Sequence, residues 1–385
     1  MKIFQCSDSF IPIIDGVGRV VKAYAETLSK RDNEIYVVTP TDNTGYRGRL
    51  GYEIVDFTSF RLSKEMPWKL GIEALDSHFY ERIKNIDGEI VHVHTPGPSG
   101  LVGKTIARKK HIPLVGSFHS KYYDDVLKVT HSKVAAKIAS NIIADFYKQC
   151  DEVWAVSGNA GETLREYGYK GKIVVMPNGT DIRVLNKTML EPVAAKYGIN
   201  RNIPILLFVG QINWKKNIRR ILEGCALLKQ DGYAFQLVLA GKGPDEGEIK
   251  KTARQLGLEN NLIMTGHLDD SQVLDCLYSM ADLFLFPSVY DNAPMVLREA
   301  ACMKTPSLVV AGSSSAEVIT DGENGLVCSD NNIDFCKAIE SYFDKNESER
   351  EALGLKAYET IPIPWDGPLM DLIEQRYSKL IRDHA

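Results

Sequence analysis

The 385-residue sequence predicts a parallel α/β architecture made of two doubly wound, Rossmann-like domains. Three observations carry this expectation. Short apolar runs alternate with amphipathic stretches along the chain, which is the pattern of a parallel sheet covered on both faces. The runs fall into two series, separated by a polar and weakly periodic stretch at 181–202. The chain is also longer than one typical hydrophobic core supports.

In the first series, KIFQC (2–6), EIYVVTP (34–40), EIVHVHTP (89–96), PLVGSFH (113–119), EVWAVS (152–157) and KIVVMPNG (172–179) read as strands. Helices lie between them, such as GRVVKAYAETLSKRD (18–32). The second series starts at PILLFVGQ (204–211). It continues through FQLVLAGKGP (235–244), NLIMTGH (261–267), ADLFLFPS (281–288) and PSLVVAG (306–312). The expected domains are therefore 1–190 and 191–365, with ligands in a cleft outside the C-terminal strand ends. The final helix, 366–385, follows a segment with prolines and a Trp. It fits either a return to the first domain or a cap on its own.

Hydrophobic content of 44% and charged content of 25% describe an ordinary globular protein. No apolar run approaches the ~18 residues of a membrane-spanning helix. MKIFQCSDSF reads as a strand from the start, not as a signal peptide. Seven scattered cysteines without a CxxC suggest free thiols in a reducing cytoplasm, not disulfides or a zinc site. A net charge of −4 argues against a general nucleic-acid binder. The charge is uneven: residues 1–190 hold 26 Lys and Arg against 22 Asp and Glu, whereas the remainder holds 20 against 28. Two units with different partners would account for that.

Asp291 and Glu299 are the most informative residues. They stand in PSVYDNAPMVLREAACMKTPSLVV (287–310), where an apolar strand gives way to a polar turn and then to a helix beginning near Ala293 or Pro294. A helix N-terminus attracts anions, because its first N–H groups lack partners and the dipole is positive there. Two acids beside such a site call for a neutral group next to the anion, and sugar hydroxyls fit. A nucleotide-sugar presents ribose, diphosphate and hexose in a row. For an isolated pair of acids, a solvated helix start would be the plain alternative.

This segment resembles the E-x7-E signature of retaining glycosyltransferases of family 4, which have the two-domain GT-B fold with a central cleft and a C-terminal helix crossing back to the first domain. The resemblance implies that Asp291 contacts the donor sugar. The backbone of Asn292, Ala293, Pro294, Met295 and Val296 would meet sugar and phosphate, and Glu299 would hold the ribose. The sequence departs from the pattern in two ways: Asp291 is one methylene shorter than the usual Glu, and Ala293 and Pro294 replace an aromatic residue and a Gly.

QINWKKNIRRILEG (211–224) resembles the family's G-R-L-x-x-x-K-N element. Gly210 would allow close backbone approach. Lys216 would stabilise the leaving diphosphate. Gln211 replaces the usual Arg, so one positive charge is missing. PIIDGVGRV (12–20) lacks GxGxxG but resembles the family's glycine loop, with Gly16 and Val17 near donor phosphate and acceptor. His119, at a strand end, matches a family His that contacts donor sugar or acceptor. Asp291, His119 and Lys216 are thus the expected catalytic residues. AGKGP (240–244) and TGHLDD (265–270) resemble loops near the nucleotide, which brings in Gly241, Lys242, His267 and Leu268. No convincing DxD motif occurs at a strand end, in line with GT-B chemistry in which protein cations replace a metal. No metal and no cofactor are expected, the nucleotide-sugar being a substrate.

HVHTPGPSGLVG, FHSKYYDDV, CDEVWAVS and VVMPNGTD together resemble bacterial enzymes that glucosylate diacylglycerol. The resemblance implies transfer of a hexose from a donor such as UDP-glucose to an acceptor, with a membrane lipid as one candidate and a cytoplasmic protein peripheral to the membrane. Residues 101–150 hold nine Lys and Arg against three Asp and Glu. Within them, 126–149 is amphipathic, with Val134, Ile138, Ile142 and Ile143 at helical spacing. A membrane-surface helix and a helix packed on its own sheet both fit. His92 and His94 share one strand face and read as structural or cleft-lining, with no third metal ligand near them in sequence. Two further readings stay open at this level: an epimerase or phosphorylase on the same fold, and a degenerate subunit that stabilises an active transferase.

Overall fold

The run Ile205–Val209 is apolar at every position, and a strand without a polar face must be covered on both sides. The computed structural model, which describes residues 1–11, 15–40, 50–61, 69–71 and 76–384, builds two such covered sheets. The first comprises β1 (Lys2–Cys6), β2 (Glu34–Pro40) and β3 (Glu53–Phe57). A two-stranded ribbon follows, β4 (Ser59–Arg61) with β5 (Lys69–Gly71). The first sheet then resumes with β6 (Ile90–Val93), β7 (Leu114–Phe118), β8 (Glu152–Ala155) and β9 (Ile173–Val175). The second comprises β10 (Ile205–Val209), β11 (Gln236–Ala240), β12 (Leu262–Gly266), β13 (Leu283–Phe286), β14 (Ser307–Val310) and β15 (Gly325–Cys328).

Every pairing in both sheets is parallel. The orders are β3-β2-β1-β6-β7-β8-β9 and β12-β11-β10-β13-β14-β15. Each order reverses direction once, between β1 and β6 and between β10 and β13. In open parallel sheets such a reversal opens a crevice at the C-terminal strand ends, and ligands bind there.

The chain divides into two compact units, Met1–Gly179 with Pro364–Ala385, and Thr180–Ile363. Residues 180–189 follow the second unit, because Arg183 pairs with buried Asp275 and the Cys276 thiol points at Asn186 O at 3.9 Å. The last helix, Pro368–His384, belongs to the first unit. Its Tyr377 is fully buried and stacks on Trp154 with ring centres 5.5 Å apart. Arg31 binds its start, with Asp371 at 2.6 Å and Glu374 at 2.9 Å. Of the two alternatives for this helix, the return to the first domain is the one observed.

The sheets hold two strands that the apolar pattern did not single out, β3 and β15. Both are edge strands, paired on one side only. Residues 126–149 are not one helix. They contain the end of Tyr122–Thr130 and then Lys133–Tyr147, broken where His131 takes a left-handed φ of 52° and Ser132 caps the second helix by accepting from Ala135 N–H. Residues 12–14 of the glycine loop, and Ala385, lie outside the described residues.

Candidate active site

In the second unit, four loops leave the C-terminal ends of adjacent strands and carry the expected donor-binding residues. Gly210 and Gln211 follow β10, Gly241 and Lys242 follow β11, His267 and Leu268 follow β12, and Asp291 to Val296 follow β13. Backbone bonds join these loops: Gly210 N–H donates to Ala240 O, Gly241 N–H to Gly266 O and Ile212 N–H to Lys242 O, each at 3.0 Å. Glycine is required at 241, where φ is +144° and a Cβ would stand 1.9 Å from Gly210 O. Lys242 and His267 are exposed, and His267 Nε2 lies 3.1 Å from Asp269 Oδ1.

The turn after β10 is a short 3-10 segment, Trp214–Lys216, capped by Asn213, whose Oδ1 accepts from Lys216 N–H at 3.2 Å. Asn213 in turn donates to Gln211 Oε1 at 2.6 Å, so that amide serves the turn. Asn217 is left-handed at φ 57° and begins the helix Ile218–Gln230. Its Nδ2 donates to Pro287 O at 3.2 Å and to Asp330 Oδ1 at 3.0 Å, which holds the turn against the loop after β13. That contact sets Lys216 beside Asp291. Lys216 Nζ is 2.5 Å from Asp291 Oδ1, and Ser288 Oγ donates to Asp291 Oδ2 at 2.5 Å. Both partners are largely covered, with side chains 16% and 19% exposed. Lys215 points away, its Nζ 4.5 Å from the centre of the Tyr290 ring.

The helix after this loop is Met295–Cys302, with Pro294 at its N-cap and no side-chain cap among the described residues. A helix N-terminus of this kind can hold an anion, because its first N–H groups have no partner within the helix. Glu299 sits in its second turn and is buried. Tyr278 donates to Glu299 Oε2 at 3.2 Å. Beside it lies a pair the sequence did not disclose. Arg183 grips Asp275 with Nε at 2.9 and 3.0 Å from the two carboxylate oxygens and Nη2 at 2.7 Å from Oδ1. Burial raises the Asp275 carboxyl above its ordinary range, and the Arg183 guanidinium opposes that rise. Arg183 also acts electrostatically on Glu299. A charged residue in a stretch read as linker offered no signal, because its partner lies 92 positions away.

In the first unit, the reversal between β1 and β6 is lined by a polar network. His92 Nδ1 meets the Tyr377 hydroxyl at 2.5 Å, and His92 Nε2 meets Ser117 Oγ at 2.7 Å. His94 Nε2 donates to Gln5 Oε1 at 2.6 Å. His94 then has only an acceptor at Nδ1, so the His119 Nε2, 3.2 Å away, carries the proton between them. Burial lowers all three imidazoles, His119 to about 4 and the other two well below the ordinary range. His94 and His119 thus satisfy each other as neutral rings, while His92 is satisfied by Tyr377 and Ser117. Gly16 opens the helix Gly16–Ser29, whose N-cap Asp15 accepts from Gly18 N–H at 2.8 Å, and Val17 follows in its first turn.

The sequence of residues 14–184 matches the model of Glycosyltransferase Family 4, and 191–360 matches that of Glycosyl transferases group 1. The chain belongs to glycosyltransferase family 4. It is a glycosyltransferase of the nucleotide-sugar-dependent kind. The transferase is 24% identical to the alpha-monoglucosyldiacylglycerol synthase of Streptococcus pneumoniae over 331 residues, 83% of this chain and 74% of that protein. It is 20% identical to the enzyme of the same name from Acholeplasma laidlawii, covering 85% and 84%. Alpha-D-kanosaminyltransferase of Streptomyces kanamyceticus is 22% identical over 85% of the transferase and 81% of its own length. Among solved structures, Anabaena HepE in complex with UDP superposes with a TM-score of 0.78 at 16% identity, covering 98% of this chain and all of that one. Sucrose-phosphate synthase from Thermosynechococcus elongatus gives 0.79 at 17%, with both chains covered fully. These likenesses establish the GT-B fold.

Proposed function

We propose that the transferase is a retaining hexosyltransferase that uses a UDP-hexose without a metal ion and acts on a lipid acceptor of the diacylglycerol class. The observation that carries the donor half is the Lys216–Asp291 pair at the strand-order reversal of the second unit, beside the N-terminus of Met295–Cys302. Lys216 and those N–H groups supply the positive charge that a departing diphosphate needs. Asp291 and the backbone of Asn292 to Val296 hold the hexose, and Glu299 holds the ribose. Gly210, Gln211, Gly241, Lys242, His267 and Leu268 frame the nucleotide. The roles that the family pattern gives Gly16, Val17 and His119 belong to the same reading.

In the reaction, the bond from the anomeric carbon to the diphosphate oxygen breaks. A bond to the acceptor hydroxyl oxygen forms on the same face, and the hydroxyl proton passes to the departing phosphate. No carboxylate is assigned as a nucleophile, which favours this over a covalent intermediate. Two relatives named for diacylglycerol glycolipid synthesis support the lipid acceptor, and the UDP held by HepE supports the nucleotide.

Calorimetry with UDP in excess chelator tests the donor half. Binding is expected without divalent ions. Lys216→Ala should weaken it by roughly 1.5–3 kcal/mol, the value of a charged hydrogen bond. Binding that appears only with a divalent ion overturns the metal-free reading. Mass spectrometry of diacylglycerol, lipid extract and free sugars incubated with a panel of donors tests the acceptor half. Absence of both donor binding and donor hydrolysis would instead favour a degenerate subunit.

A further inference from the structure

The polar network at the reversal between β1 and β6 has a direction, and Gln5 sets it. Gln5 is fully buried in β1, with an amide oxygen that only accepts and an amide nitrogen that only donates. Its Oε1 faces His94 Nε2 at 2.6 Å, so His94 carries its proton there. Its Nε2 donates to the Tyr377 hydroxyl oxygen at 3.4 Å. Tyr377 then has one proton to give, and His92 Nδ1 stands 2.5 Å away. That leaves the His92 proton on Nε2, which donates to Ser117 Oγ at 2.7 Å. At the other end, His94 Nδ1 accepts from His119 Nε2 at 3.2 Å.

The donors therefore run one way, from His119 through His94, Gln5, Tyr377 and His92 to Ser117. Gln5, His92, His94 and Tyr377 are fully buried. Tyr24 packs edge-on against both His92 and His94, with ring centres 5.6 and 5.3 Å apart, and Trp154 stacks on Tyr377. Bonds in such a buried chain polarise and strengthen one another. The chain reverses only as a whole: the Gln5 amide must turn over, and every imidazole must change the nitrogen that holds its proton.

We propose that Gln5 and Tyr377 are positioning residues that fix the tautomer of His119, holding its proton on Nε2 so that Nδ1 meets a substrate hydroxyl as a neutral acceptor. For its part in turnover this rests on the proposed function, in which His119 contacts donor sugar or acceptor. The tautomer itself is read without either. Tyr377 belongs to the last helix, so that helix serves the reaction as well as the fold.

The test is NMR of the full chain with isotope-labelled histidine, at neutral pH and without donor. Multiple-bond nitrogen–proton correlations distinguish a protonated ring nitrogen from a bare one, and single His→Asn variants assign the rings. The expected result is Nε2–H at His119, His94 and His92 together. Nδ1–H at His119 in the parent overturns the proposal. Tyr377→Phe keeps an aromatic ring against Trp154 but removes the acceptor of the Gln5 amide, and Gln5→Leu removes both of its contacts. Each should convert His119 to a mixture of tautomers. Each should also lower kcat by roughly three- to tenfold, the equivalent of about one hydrogen bond, with KM for the donor little changed. Circular dichroism and thermal unfolding check that the variants fold; should neither do so, the three tautomers of the parent still decide. A folded variant that loses stability while His119 keeps Nε2–H would make the role structural and sink the proposal. Full kcat in a variant whose His119 has become mixed does the same. Nε2–H at His119 in a parent that neither binds UDP nor transfers a sugar would count against the proposed function and leave the tautomer assignment standing.

Discussion

Lys216 and Asp291 neutralise each other across 2.5 Å, with the second carboxylate oxygen held by Ser288. On the proposed function, a donor must divert Lys216 from this carboxylate to its own diphosphate. The two residues therefore have opposite effects on the unreacted and reacting states. Asp291→Ala should tighten UDP binding by about 0.5–1 kcal/mol, because a competing anion is gone. It should nonetheless lower kcat, because the hexose gains positive charge as the diphosphate leaves and loses its carboxylate contact. Calorimetry with UDP and steady-state kinetics with the full donor read the two effects. Full turnover in Asp291→Ala would remove this residue from the mechanism. Asp291→Glu, which restores the family residue, should change the rate or the donor preference.

Glu299 is placed by Tyr278 and by the field of Arg183. Glu299→Gln should raise KM for the donor with a smaller change in kcat, because a ribose contact is the same before and during reaction. Arg183→Ala strands the buried Asp275 carboxylate and should cost about 3–5 kcal/mol of stability. Arg183→Ala with Asp275→Ala should recover much of that stability but not the donor KM, which distinguishes placement of Glu299 from support of the fold. Urea titrations and donor kinetics on the same samples check this.

The histidine network makes the first unit acid-sensitive. In the unfolded chain each imidazole takes a proton near pH 6.5, whereas in the folded chain His119 resists until about 4. The unfolded state thus binds more protons between those limits, and stability falls as pH drops through them. His119 alone should account for on the order of 3 kcal/mol lost between pH 7 and 4. Chemical denaturation across that range should show the loss, and His119→Asn should flatten it. An unchanged slope in the variant would place the sensitivity elsewhere.

Gly16 and Gly241 should behave in opposite ways. A Cβ at Gly16 has nothing within 4 Å among the described residues, so Gly16→Ala should keep stability within about 0.5 kcal/mol. Any loss of kcat/KM in that variant reports the approach of a ligand. Gly241→Ala meets Gly210 O and a disfavoured backbone angle, and should cost roughly 1–3 kcal/mol or more. Thermal unfolding separates the two, and equal destabilisation would refute the distinction.

Much of this was legible in the residues themselves. Strands such as β10 and β13 are uniformly apolar because both faces are covered, and that signal survives in sequence. Edge strands β3 and β15 have half the pairing and a weaker signal. Lys216 and Asp291 could each be picked out from local motifs. Their pairing across 75 positions could not, because it depends on β10 and β13 lying side by side and on Asn217 holding the two loops together. Alternation put His92 and His94 on one face, but Tyr377, 285 positions after His92, reaches His92 only because the last helix returns to the first unit. The period of Lys133–Tyr147 likewise defined two faces without saying which one would be buried. The packed unit covered Ala136, Ser140 and Ala144, and Val134, Ile138 and Ile142 were left to water. Sequence specifies what each segment can bury; only the packed chain decides which of the competing surfaces is buried, because that choice rests on neighbours far away along the chain.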